Sequence, residues 1–115
     1  MGTVTPLPYA GRALPQQTGF DRDELMRILD LYGRMVAAGE WRDYALQFGK
    51  DAAIFCAYRR AADYPSARLE KRPALRSKQG MWVLYGEAGQ VLKRGHELPG
   101  VLAVLERRLL KLVEG

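Results

Sequence analysis

Cysteine and histidine are almost missing from this chain. Cys56 is the one cysteine and His96 the one histidine in 115 residues. A single cysteine excludes an intrachain disulfide and any multi-cysteine zinc site, and a single histidine excludes a multi-histidine metal centre. Such usage fits a reducing cytosol. No apolar run approaches the roughly 20 residues that a membrane-spanning helix needs. The opening stretch, Met1 to Pro8, has neither the basic nor the apolar region of a secretion signal. The expected setting is the cytoplasm, with no membrane contact. No pattern calls for a cofactor or a metal.

The remaining composition is that of a globular domain. The apolar share is 48%, and 115 residues suffice to bury one continuous core without staples. The net charge of +5 is concentrated. Between Arg59 and Lys78 lie seven basic residues and two acidic ones, a difference equal to the charge of the whole chain. A basic strip attracts phosphates and acidic partners. Lysine and arginine also guard solvated sheet edges, and that blander reading stands beside the functional one.

Residues 1–19 hold Pro6, Pro8 and Pro15 and show little periodicity. They read as a flexible tail. Residues 20–115 read as a single α+β domain. Asp21 and Glu24 form a capping-box pattern, and Phe20 and Leu25 are spaced as a hydrophobic staple. Leu25, Ile28, Leu29, Tyr32, Met35 and Val36 then make one apolar helical stripe, with Gly39 placed to end it. Gly33 sits inside that helix, either for close packing or as a weak point.

Strands follow. Tyr44, Leu46 and Phe48 alternate with Asp43, Ala45 and Gln47. From Ala52 to Arg60, Phe55 and Ala57 face one way, and Ile54, Cys56 and Tyr58 the other. Arg68 to Arg72 alternates and ends at Pro73. Ala74 to Gln79 is a basic loop. Met81 to Tyr85 and Gln90 to Arg94 form a hairpin around Gly86-Glu87-Ala88-Gly89. Pro99 suits a first helical turn, and Leu98, Val101, Leu102, Leu105, Leu109 and Leu112 keep helical spacing. The expected fold is an antiparallel meander of about five strands between an N-terminal and a C-terminal helix. Both helices cover one sheet face and leave the other partly open.

No motif names a reaction. His96 can act as a base near pH 7, but Glu87 and Glu97 are only nominal partners, and a lone loop histidine usually bonds locally. Cys56, amid apolar neighbours, reads as structural. Gly86-x-x-Gly89 matches in letters a backbone-clamping RNA loop, but that loop joins helices, and here it joins strands. Lys93-Arg94-Gly95-His96 before a helix suggests an anion site weakened by Pro99. Trp41, Tyr44, Phe48, Phe55, Tyr58, Trp82 and Tyr85 are either core or a stacking platform for single-stranded nucleic acid. Arg42, Asp43, Asp51 and Glu70 read as salt-bridge partners across strands.

Two groups of residues occur together in order. One is Leu31 to Tyr44. The other is Glu70-Lys71-Arg72-Pro73 with Lys78-Gln79-Gly80 and Val91 to Leu98. Together they resemble a domain-of-unknown-function family of short alphaproteobacterial proteins, from roughly Phe20 to the C-terminus. The resemblance implies a bacterial cytoplasmic protein of about this length. It implies no activity and carries over no site residue.

The leading expectation is a non-enzymatic binding or regulatory module. Its basic strip (Arg59, Arg60, Arg68, Lys71, Arg72, Arg76, Lys78, Lys93, Arg94) would contact nucleic acid or another polyanion. A homodimer through the last helix is an accompanying expectation. The alternatives are a protein-interaction module using the open sheet face and last helix, and a small enzyme using His96.

Overall fold

The computed structural model describes residues 17–60 and 64–114. The expected tail lies, for residues 1–16, outside the described residues. Helix α1 (Arg22–Ala37) is followed by β1 (Asp43–Phe48), β2 (Ala53–Tyr58) and β3 (Ala67–Lys71). After a 3-10 turn at Pro73–Leu75 come β4 (Trp82–Tyr85), β5 (Val91–Gly95) and helix α2 (Leu98–Glu114). The strands pair in chain order, every neighbour antiparallel. This is the α+β meander between two helices that the periodicities predict.

Local chemistry sets both ends of α1. The Asp21 carboxylate accepts from the Glu24 N–H at 2.8 Å, and the Asp21 N–H donates to the Glu24 carboxylate at 2.8 Å. Two donors that the first turn cannot satisfy internally are thereby paired. At the other end Gly39 takes φ +79°. Its N–H reaches the Val36 carbonyl and that of Glu40 reaches Met35, both at 2.9 Å. That pair of bonds is a Schellman closure, which needs a left-handed residue where glycine stands.

Both helices lie on one sheet face. Ile28, Leu31 and Met35 of α1 and Leu98, Val101, Leu102, Leu105 and Leu109 of α2 share a core with Phe55, Leu69, Trp82 and Leu84. Strand periodicity brings those sheet residues to one side. Phe20 stacks on Trp82 at 6.1 Å and meets Phe48 edge-on at 6.0 Å, tying the entry of α1 to the sheet. Tyr32 does the same further along, against Tyr44 at 4.8 Å and Phe55 at 6.3 Å. Among the described residues the opposite face carries no helix. Among the described residues no helix is long and apolar enough to cross a membrane.

Candidate functional site

The register assembles the helix-free face. Ala45, Cys56, Arg68 and Tyr85 form one row across the strands, and Gln47, Ile54, Glu70, Val83 and Arg94 form the next. In β3, Arg68 and Glu70 are two residues apart, and Arg72 follows after two more. Period two sends all three to this face.

Glu70 is the anchor. It is 4% exposed although no helix covers it. One carboxylate oxygen accepts from Arg68 Nε at 2.7 Å and from its terminal nitrogen at 2.6 Å; the other accepts from Arg72 Nε at 2.9 Å. A buried carboxylate requires such partners. The two arginine side chains remain about 40% exposed. Each has five donors in a rigid fork, so donors remain for a ligand after Glu70 is satisfied. The result is two cations held at fixed positions with a net charge of +1.

Beside them lies a cleft of about 560 Å³, lined by Tyr64, Pro65, Arg68, Glu70, Tyr85 and the Gly86–Gly89 turn. Tyr64 is 74% exposed. The turn is a hairpin: Gly86 N–H donates to the Gln90 carbonyl at 2.8 Å, and Gly89 has φ +81°. It caps the cleft and does not clamp a backbone.

The basic strip is divided by the fold. Arg68, Arg72 and Arg94 share the helix-free face. Arg76 and Lys78 are exposed in the turn after Pro73–Leu75, at the end of the sheet where β3 stops. Arg59 and Arg60 lie at the opposite end, and Arg59 pairs with Glu40 at 3.0 Å. Lys93 is exposed on β5, next to the point where the β4–β5 register shifts. Lys71 points to the helix side. Its ammonium group donates to the Glu24 carboxylate at 2.6 Å and the Gly19 carbonyl at 2.9 Å, 5.8 Å from the Trp82 ring centre. It fastens the start of α1 to the sheet.

The aromatics divide the same way. Trp41, Phe55 and Trp82 are buried in the core, while Tyr85 lines the cleft. Tyr64 and Glu70 are the residues that sequence reasoning passed over as site members. The two-residue spacing of Arg68, Glu70 and Arg72 was the available signal for Glu70. Tyr64 had none, because it shares a cleft with Tyr85 only once the strands have paired.

Cys56 sits half-buried on the helix-free face, not in the core. Burial pushes its thiol pKa up, against a smaller lowering by the Arg68 charge. It is a poor nucleophile in that state.

His96 is exposed and lines a second cleft of about 440 Å³, where the first turns of α1 and α2 meet. Asp21, Asp23, Glu24, Glu97, Arg27 and Arg76 share it. The imidazole has no hydrogen-bond partner among the described residues, so no group orients it as a base. Among the described residues no group of three His, Cys, Asp or Glu side chains is placed to hold a metal ion.

The family model described as Protein of unknown function (DUF2794) matches residues 18–102. The chain belongs to this family. The match spans α1, all five strands and the start of α2, and so includes both clefts. No curated protein matches the chain. No solved structure matches it.

Proposed function

We propose that this domain is a non-enzymatic module that binds single-stranded nucleic acid, or a polyanion like it, on the helix-free sheet face. The observation that carries this reading is the Arg68–Glu70–Arg72 arrangement beside the tyrosine-lined cleft. Single strands are held by cations that track phosphates and by flat side chains on which bases stack. Arg68 and Arg72 supply the cations in fixed positions. Tyr64 and Tyr85 supply the rings. Arg94 extends the surface across β5, and Lys78 adds charge beyond the end of β3. The setting, as the family resemblance implies, is the bacterial cytoplasm.

Fluorescence anisotropy with short single- and double-stranded DNA and RNA tests this, at about 50 and about 200 mM salt, where phosphate contacts lose affinity steeply. Single strands should bind at low salt and weaken at high salt. Tyr85→Ala should cost about 1–3 kcal/mol of that binding, the usual worth of one stacked base. Absence of binding at low salt would leave the arginines as edge protection and sink the reading.

A second reading has its own observation. Leu110 and Val113 of α2 are exposed. Leu110 and Val113 line a groove with Arg34, Ala37, Ala38 and Leu109. Such a patch suits a protein partner. Pull-down with a Leu110→Lys/Val113→Lys variant as control distinguishes it, since oligonucleotide binding should not change in that variant.

A further inference from the structure

The two edges of the sheet are built differently. The β5 edge has Lys93, Arg94 and a register irregularity, all devices that discourage strand addition. The β1 edge has none of these. Its sequence, Asp43-Tyr44-Ala45-Leu46-Gln47-Phe48, contains no lysine, arginine or proline. Every β1 residue except Leu46 is exposed, Tyr44 to 39% and Phe48 to 43%.

The hydrogen-bond pattern shows which backbone groups face outward. Gly49 N–H bonds to the Ala52 carbonyl at 2.9 Å, one step past the Phe48–Ala53 pair, while the Gly49 carbonyl accepts from the Thr18 N–H at 2.7 Å. Alternation then directs Asp43, Ala45 and Gln47 to β2, and Tyr44, Leu46 and Phe48 outward. Tyr44 confirms the alternation, because its N–H reaches the Asp43 side chain at 2.8 Å and not β2. Beyond Phe48, the Lys50 carbonyl already accepts from the Thr18 hydroxyl at 2.9 Å. Before Tyr44, the Arg42 N–H already bonds to the Tyr58 carbonyl at 2.8 Å. Leu46 and Phe48 have no outward hydrogen bond among the described residues. The usable edge is therefore Tyr44, Leu46 and Phe48, and it is symmetric about Leu46.

We propose that two copies of this chain pair antiparallel through β1, with Leu46 on the two-fold axis, to make one continuous sheet. In this register Leu46 faces Leu46 of the second copy, and each Tyr44 faces a Phe48. All of these are residues whose backbone groups point outward, so each facing pair exchanges both its bonds. Shifting the register by two residues would require Arg42 or Lys50, whose groups are engaged. A shift by one would oppose outward with inward groups. The side chains agree, because Tyr44, Leu46 and Phe48 all lie on the helix side. Aromatic, leucine, aromatic at alternate positions meets its own reverse, so exposed apolar surface is covered by like surface. The Asp43 carboxylate gives up the Tyr44 N–H to the Phe48 carbonyl of the second copy. This inference is independent of nucleic-acid binding and of the apolar groove on α2.

The register is tested by the pair Ala45 and Gln47, which are exposed, face away from the helices, and stand opposite each other across the axis. Sedimentation equilibrium of the full chain from about 1 µM to about 1 mM spans weak self-association. The wild type should form a dimer. Ala45→Lys with Gln47→Lys should raise its dissociation constant at least about tenfold, since like charges then face each other twice. Ala45→Glu with Gln47→Lys places opposite charges in the same positions and should keep or tighten the dimer. Circular dichroism checks that both variants fold. Leu46→Pro, which removes an outward donor and no β2 bond, should leave only monomer. A monomer at all concentrations overturns the proposal. So does a dimer that both double variants weaken alike, or one disrupted by Leu110→Lys/Val113→Lys and indifferent to the β1 changes.

Discussion

Gly33 and Gly80 are the same residue with opposite reasons to be there. Gly33 is inside α1, exposed, and a methyl group added to it would meet nothing within 4 Å. Close packing is therefore not its role. Gly33→Ala should stabilise the fold by about 1 kcal/mol, the ordinary helix-interior difference, read as a higher urea midpoint at unchanged slope. Gly80 has φ +98°, and an added Cβ would come 2.5 Å from the Gly95 carbonyl oxygen. Backbone cannot yield there as a flexible side chain could. Gly80→Ala should destabilise by about 1–3 kcal/mol, and the same urea titration measures it. Glu70 poses a different question. Glu70→Gln removes the charge that holds Arg68 and Arg72, at a cost of about 2 kcal/mol, moderated because both arginines can rehydrate. It also raises the net charge by one. If charge alone governed oligonucleotide binding, this variant would bind more tightly. If fixed guanidinium groups govern it, affinity should fall despite the added charge, and anisotropy at about 50 mM salt separates the two.

At the scale of elements, the parts that were legible are those whose cause is local. The start of α1 is written in Asp21 and Glu24 because a capping box closes within four residues. Its end is written in Gly39 because the Schellman closure does too. Asp21→Ala should lower stability by about 1 kcal/mol through the lost cap, checked by thermal melting. The strand faces were legible through alternation, and that rule extends further than the charge count does. Lys71 is two residues from the core residue Leu69, so its side chain belongs on the helix side, whatever the density of positive charge around it. The strands pair in chain order, as a meander does. What could not be read was the register of each pair. That Arg68 stands between Cys56 and Tyr85, and that Tyr64 and Tyr85 line one cleft, follow from that register and from the loop before β3, and no short window of residues encodes them.

At the scale of the whole molecule, three burial effects add up to one pH dependence. Tyr32 has its pKa raised by burial, with Asp43 and Tyr44 adding to the effect. Tyr58 is raised chiefly by burial and then by Cys56. Cys56 is raised by burial, opposed by Arg68. All three are neutral when protonated, and the fold favours that neutral form. In the unfolded chain the thiol loses its proton near 9.0 and the phenols near 10.0. Below pH 9 both states keep these protons, and their contribution to stability is fully present. Above it the unfolded chain releases protons while the folded one retains them, so the folded state binds more, and stability falls as pH rises. The loss continues until the pH passes the raised folded values. Urea midpoints should therefore be level between pH 7 and pH 8.5 in this respect and decline from pH 9 to pH 11. Tyr58→Phe removes one titrating phenol from the sheet face and should flatten part of the decline. A midpoint that rises above pH 9, or a slope that Tyr58→Phe leaves unaltered, would contradict the assignment of that loss to the half-buried phenols and thiol.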